Sequence, residues 1–567
     1  MERINATTGS YNFIDLFAGA GGLSEGFIQA GFSPVAHVEM NPYAAQTLET
    51  RTGYYYLKAQ GKLDIYKDYI SGKITRDEFL QHIPEEQLQS VFCETMSNET
   101  LPRLFENIDR ILTQRGIKQV DVIIGGPPCQ AYSLVGRAQS KHMETPMSAD
   151  PRNDLYKLYA RFLQKYHPKM FVFENVMGIK SANSGATWLK VQEALRSVGY
   201  EIECHEQNSK NFGVLQNRRR MIIVGWLKNT GLSYPQFEQT IADATVNDIL
   251  SDLPALQPGG KSGEYRSDDF SDYLRSTGIR KDSDILTHHC ARPNKDRDIE
   301  IYRRTIELWN DGHKRLNYND LPDELKTHKN RKSFLDRFKV VEGDEAYCHT
   351  MLAHISKDGH YFIHPDIEQH RSITVREAAR IQSFPDDYFF EGPRTAQFVQ
   401  IGNAVPTLMA SDIVQIDSRA DVIIFSSSVV TAKMDLMQRF FGFEQYIRAG
   451  AQKTIEIIRD LDIVDSLEKF VAFENKSKLT NAKKLLKAKN SPVLQMKKND
   501  LLENLKKHSR YKTMFKFEED HIVISSQKEA AAFLLGSVTR KTPFAVSNSG
   551  GDGQFLYAHS IFSISVP

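Results

Sequence analysis

The stretch "FIDLFAGAGG", Phe13 to Gly22, decides the fold. A short apolar run enters a turn with glycines at 19, 21 and 22, and "LSEGFIQAGF" then follows with helical periodicity up to Gly31. That is the pattern of a strand, a tight turn and a helix. Glycines in such a turn let backbone approach a ligand without a Cβ in the way. The same alternation continues outward. "SPVAHVEM", "VDVIIGG", "KMFVFENV" and "RMIIVGWL" read as further strands, with "AAQTLETR", "DLYKLYARFLQKY" and "TWLKVQEALRSVGY" as helices between them. Alternating strands and helices over residues 11 to 225 predict an α/β class, a doubly wound parallel sheet. Ligands of such sheets sit at the carboxyl ends of the strands, where the glycine-rich and catalytic-looking turns of this chain fall.

The first turn selects among ligands. Glu39 ends the second strand, twenty positions after Gly19, where an acid can accept hydrogen bonds from ribose hydroxyls. A dinucleotide fingerprint would require glycine at position 24, and Ser24 is there. Asp15, just before the turn, would repel a pyrophosphate. An adenosine ligand without phosphates fits better, and S-adenosylmethionine is one, its positive sulfonium and ammonium tolerating nearby carboxylates.

"GGPPCQAYSLVGR", Gly125 to Arg137, places Cys129 on a turn stiffened by Pro127 and Pro128, which fix φ and donate no N–H. A nucleophile needs such a mounting. A small buried cysteine is the alternative, and local sequence leaves both open. Glu174, after Phe171-Val172-Phe173, falls on the same rim in a half-buried setting that favours protonation. Arg218 and Arg220 in "VLQNRRRMIIV" enter a strand at alternate positions, so their side chains should point the same way, with ion pairing to Glu174 or other acids as the alternative role.

The 567 residues imply two or three domains, and 41% hydrophobic with 25% charged residues is ordinary for a globular protein. A net charge of +1 excludes a global polyanion signature, so local basic patches must carry any affinity for nucleic acid. One such patch is Arg292 to Lys339; another, between Lys476 and Lys516, has thirteen Lys and Arg against two acids. No run approaches membrane-span length, and the first residues lack a signal peptide's apolar region. Five scattered cysteines without a CxxC fit a reducing cytoplasm, and no metal site is expected.

Taken together, "DLFAGAGG", "GGPPCQAYS", "FENV", "QNRRR", "RSITVREAARIQSFPDDY" and "QIGNAVPTLMA" resemble the DNA (cytosine-5-)-methyltransferase family in order and rough spacing, over about residues 11 to 412. The resemblance implies a Rossmann-like methyltransferase sheet with S-adenosylmethionine as cofactor. It implies sequence-specific action on a flipped-out cytosine in double-stranded DNA. A companion restriction endonuclease is the expected partner, and a nucleoid-associated bacterial enzyme the expected setting. It assigns Cys129, Glu174, Arg218 and Arg220 to catalysis. Phe17, Gly19, Gly21, Gly22, Glu39, Met40, Pro128, Leu155, Asn403 and Ala404 fall to the cofactor, and Gln130 and Ser133 to DNA. The expected organisation is a catalytic core at 11–230 and a smaller target-recognition region at 231–370. The core resumes at 371–416, and a mainly helical α+β accessory region of uncertain role occupies 417–567.

Two departures stand out. Residues near 52 to 90 look inserted, and the aspartate expected at the adenine amino group is not evident, leaving Glu94 in "SVFCETMSN" as a substitute. Beyond 417, "NAKKLLKAKNSPVL" through "HIVISSQKEAAAFLL" faintly resembles the DNA-binding component of Kiwa-type anti-phage systems. Glu474-x-Lys476, with Asp462 and Asp465 upstream, also suggests a nuclease core. A fused defence protein whose tail binds or cleaves DNA therefore stays open beside an accessory module with a basic face.

Overall fold

The computed structural model describes residues 11–127, 154–228, 239–333 and 335–414, with 444–475, 480–488, 496–507 and shorter pieces beyond and between them. Backbone contacts divide the chain into two compact units, 1–416 and 417–567.

The first unit is built on a seven-stranded sheet in the order β3-β2-β1-β4-β5-β7-β6. Its strands are β1 (Asn12–Leu16), β2 (Ser33–Glu39), β3 (Val91–Cys93), β4 (Val122–Gly125), β5 (Met170–Asn175), β6 (Tyr200–Asn208) and β7 (Arg219–Leu227). Six run parallel. β7 runs antiparallel to both its neighbours, β5 and β6, because only the short connection 209–218 joins it to β6. An all-parallel sheet is therefore corrected to a mixed one, and the reversal matters. It brings the start of β7, and not its end, to the rim where β1, β4 and β5 end.

Period-two alternation assigns each face. Ile14, Leu16, Ile123, Phe171 and Phe173 pack under Leu104, Ile108 and Phe162 of helices Leu101–Gln114 and Leu155–Tyr166. Phe13, Ile124, Val172, Ile222 and Val224 pack on the other face against Leu23 and Phe27 of helix α1 (Gly22–Gln29) and Met409 and Ile413 of helix Thr407–Val414. Burying both faces explains why the strands read as continuous apolar runs. By the same alternation Glu174 shares the face of Val172, and Arg220 that of Ile222.

Residues 52 to 90 form the end of helix α2 (Pro42–Ala59) and three short helices, Leu63–Ile70, Arg76–Leu80 and Glu85–Leu88. Tyr54, Tyr66, Tyr69 and Phe79 make their own small core. Tyr66 donates a hydrogen bond to the Asp387 carbonyl (2.7 Å) and Tyr69 to Glu391 (2.6 Å).

Residues 240 to 370 hold a cluster around Ile301, Tyr302, Trp309, Tyr318, Phe338 and Ile363. A second cluster joins Val246 and Ile249 to Val375, Ala379, Phe384 and Ile401. Helix Val375–Ile381, opened by a Thr374–Glu377 capping box, ties the two segments together through buried arginines. Arg376 donates to the Thr287 hydroxyl (2.8 Å), Arg380 to the Ile249 carbonyl (2.8 Å) and Asp252, and Arg371 to Glu377 (2.7 Å) and the Leu256 carbonyl (3.2 Å). Arg371 holds Glu377 well below the usual carboxylate range against the cost of burial.

The second unit packs helices Glu444–Asp460, Glu468–Asn475, Thr480–Ala488 and Lys498–Lys507 around Ile458, Phe470, Leu485, Leu501 and Ile522. A short antiparallel pair, Lys516–Phe517 with Ile522–Val523, completes the described part of that core.

Candidate active site

The turn after β1 is built to leave room above itself. Phe17 and Gly19 both adopt positive φ, 58° and 56°. A Cβ on Gly19 would meet no atom within 4 Å. Behind the turn there is no such freedom. A Cβ on Gly21 would lie 2.9 Å from the Tyr388 hydroxyl, and one on Gly22 2.3 Å from the Val405 carbonyl oxygen. Tyr388 also donates a hydrogen bond to the Ala20 carbonyl. Gly22→Ala should therefore cost about 1–3 kcal/mol as backbone is forced apart, read as a lower thermal denaturation midpoint.

Glu39 closes the turn from β2. Its carboxylate accepts the Gly19 N–H (2.8 Å) and the Asn41 N–H (2.7 Å). Burial raises its pKa, and those backbone N–H groups oppose the rise. Asp15 is turned into the protein, where it accepts from Ser24, whose hydroxyl lies 3.2 Å from His37 Nδ1. Met40, beside Glu39, is exposed, while Leu155 packs on the same core as Phe17. At the far end of helix Arg394–Asn403, Asn403 is exposed and Ala404 is buried against the position of Gly22. Glu94 follows β3 and pairs with Arg103.

Pro128, Cys129, Gln130 and Ser133 lie outside the described residues. The strand leading to them ends at Gly125, and Gly126 continues it directly against Glu174: a Cβ there would lie 2.7 Å from the Glu174 carboxylate. Asn175 donates to the Pro127 carbonyl (3.4 Å) and accepts the Val176 N–H (2.8 Å), holding this turn to the end of β5.

Glu174 Oε1 receives the Arg220 guanidinium at 2.7 Å, both side chains between 12% and 14% exposed. Arg218 is placed differently. It is fully buried and donates to the Met351 (2.6 Å) and Gly402 (3.0 Å) carbonyls. Burial, then the neighbouring Arg220, pulls its pKa well down. Arg218 precedes β7, and its geometry is that of a brace joining three segments close to Arg220 and Glu174. Sequence reasoning missed Tyr388 and Val405, whose roles come from contacts across hundreds of residues, and the fit of Gly126 against Glu174, 48 positions on.

In the second unit Glu474 is buried against Gln452 (2.5 Å), while Asp465 accepts the Ile524 N–H (2.8 Å). Asp462 pairs with Lys498 (2.9 Å) and His521 (3.2 Å). Lys498 also reaches Asp520 (3.0 Å). Glu474 and the two aspartates thus make separate contacts; Lys476 lies outside the described residues.

Comparison with known proteins identifies the family. The model of the C-5 cytosine-specific DNA methylase family matches residues 11–80 and 80–416, and a Kiwa protein KwaB-like model matches 391–535. The Type II methyltransferase M.Bpa9945I of Bacillus paralicheniformis is 44% identical over 443 residues, 70% of this chain and 97% of that protein. M1.HphI of Haemophilus parahaemolyticus, also a Type II methyltransferase, is 29% identical over 412 residues, 72% of this chain and 86% of that one. A solved prophage-encoded E. coli DNA modification methyltransferase aligns with a TM-score of 0.46 and 22% identity, covering 72% of this chain and 98% of its own. No described helix is long and apolar enough to cross a membrane. The chain is a DNA methyltransferase and belongs to the C-5 cytosine-specific DNA methylase family.

Proposed function

We propose that the first unit methylates C5 of a flipped-out cytosine within a specific sequence of duplex DNA, as the modification half of a restriction-modification system. The observation that supports it most directly is the Glu174–Arg220 pair at 2.7 Å, set against the glycine turn that leads to Cys129.

The chemistry follows from what cytosine lacks. Its C5 is too weak a nucleophile to take a methyl group unaided. The Cys129 thiolate adds to C6, and the electron pair displaced from the 5,6 double bond makes C5 nucleophilic. Glu174 hydrogen-bonds or protonates N3, accepting the charge that attack pushes into the ring. Arg220, fixed by Glu174, holds the base at O2, and Arg218 keeps β7 in place behind it. Loss of the C5 proton to water or a nearby carboxylate, with expulsion of the thiolate, restores the ring. A base inside a duplex cannot meet a sulfur at C6, so the target must leave the stack. Gln130 and Ser133 are proposed to close on it.

The first turn fits S-adenosylmethionine. Open space above Gly19, a half-buried carboxylate at the ribose position and no glycine at 24 suit an adenosine ligand that carries no phosphate. Phe17, Gly19, Gly21, Gly22, Glu39 and Met40 would hold its nucleoside and amino acid parts. Pro128 and Leu155 would line the adenine, with Asn403 and Ala404 at the methionine end. When bound, it supplies an electrophilic methyl group.

Residues 11–230 and 371–416 would then be the catalytic core, 231–370 the DNA-recognition region, and 417–567 an accessory domain. Bisulfite sequencing of DNA from cells expressing the protein should show protected cytosines in one recurring context. Complete conversion of every cytosine would overturn the proposal.

A further inference from the structure

Within residues 231–370, one exposed segment is organised far more tightly than an idle loop. Residues 327 to 333, "THKNRKS", are all exposed, and they are locked by their own polar groups. The Asn330 side chain accepts the Lys332 and Ser333 N–H groups, both at 3.0 Å. The Asn330 N–H donates to His328 Nδ1 (3.1 Å), and the His328 N–H to the Tyr318 hydroxyl (2.7 Å). Arg331 reaches the Lys326 carbonyl (3.2 Å) and Arg337 the Asn330 carbonyl (3.2 Å). Both guanidinium groups also lie over the Tyr318 ring, at 5.3 and 3.9 Å from its centroid. Tyr318 itself is buried in the local core, so the loop stands on a rigid pedestal.

What the loop presents is one kind of chemistry. His328 Nδ1 is an acceptor here, which leaves Nε2 as a donor. Lys329 and Lys332 have no ion-pair partner among the described residues, and no acid occurs between 326 and 333. Asn330, the side chain that could read adenine, is consumed in shaping the turn. The tip thus presents donors from an ordered backbone. In the major groove guanine is the base that offers two acceptors, O6 and N7.

The loop is also mechanically continuous with the catalytic rim. Its stem residue Asp336 accepts from Tyr361 (3.3 Å), and the Tyr361 carbonyl lies 2.7 Å from His349 Nε2. Next to His349, Cys348 pairs with Gln216, and the Met351 carbonyl receives Arg218. A base bound at the tip would be referenced to Arg220 through bonded segments.

We propose that the 327–333 loop is a specificity finger that reads guanine in the recognised DNA site, through His328 Nε2, Lys329 and Lys332. This rests on the DNA-methylating function proposed above. The test crosses two changes, in the full-length protein. The parent protein and the H328A, K329A and K332A variants are assayed on the bisulfite-defined duplex, and on the same duplex with 7-deazaguanine replacing each guanine in turn. The substitution removes N7 and leaves base pairing intact.

The parent should lose about 5- to 150-fold in kcat/KM at one guanine, as expected for a lost base contact. At least one loop variant should then be nearly indifferent to that substitution, and K329A and K332A should keep the parent's thermal midpoint because those side chains are exposed; H328A also removes the acceptor of the Asn330 N–H, so its rates are read beside its midpoint. Variants that keep the parent's full sensitivity at every guanine would overturn the finger. So would variants that lose rate equally on all duplexes, since uniform loss marks phosphate contacts alone. A parent protein that methylates no cytosine would instead overturn the proposed function, and this inference with it.

Discussion

Cys129→Ser is expected to lower methyl transfer by about 10³-fold or more, while duplex binding stays within a few-fold of the parent. A hydroxyl replaces the thiol almost isosterically, so the turn and the surfaces that contact DNA should persist. What disappears is the attacking group. An alcohol stays protonated near neutral pH, whereas a cysteine already has a few per cent thiolate there and is intrinsically more nucleophilic. A duplex carrying 5-fluorocytosine at the target makes the distinction sharp. Fluorine cannot depart as a cation, so the methylated adduct should remain bonded to Cys129 in the parent and be absent in the variant. Methylation at parental rates by C129S would remove the thiol from the mechanism.

The second large effect is at Glu174. Glu174→Gln should cost about 10²–10⁴-fold in turnover, the usual worth of a positioned acid or base. Glutamine keeps the shape that fits against Gly126, but it cannot hand a proton to N3 or neutralise Arg220 at 2.7 Å. A purely structural glutamate would change the amount of folded protein and leave the turnover of the folded fraction alone. Near-parental turnover per folded enzyme in the glutamine variant would refute the role.

Much of this site was legible in the sequence because it is local. A glycine turn after β1, an acid at the end of β2, a proline turn after β4 and an acid at the end of β5 each sit within a few residues of a strong strand signal. Strand direction is not local. Apolar periodicity is the same for either direction, so nothing in "RMIIVGWL" discloses that β7 is reversed. β3 is three residues long, too short to show a period, and β6 carries charged residues on alternate positions that dilute its apolar pattern.

The buried arginines were hidden for a different reason. Arg371 precedes helix Val375–Ile381, and Arg376 and Arg380 stand one turn apart on it, yet all three are essentially inaccessible and bonded to residues far away in sequence. Arg51 is similar, paired with Glu25 (2.6 Å) and Asp387 (2.9 Å). Composition assigns such residues to the surface unless their partners are known. Glu94 was readable only as an acid near the right strand end, and its pairing with Arg103 emerges from the fold.

The carbonyl of Val405 pressed behind Gly22 has a temporal side. The ribosome delivers the first turn almost four hundred residues before the segment that supports it. At about 5–20 residues per second, that is a wait of roughly 20–80 s. During this interval the nascent N-terminus has strands but no backing for its turn, so a message cut short before codon 405 should yield a product unable to mark DNA. Maturation of this enzyme is therefore gated by completion of its first unit, whatever the speed of its earlier elements.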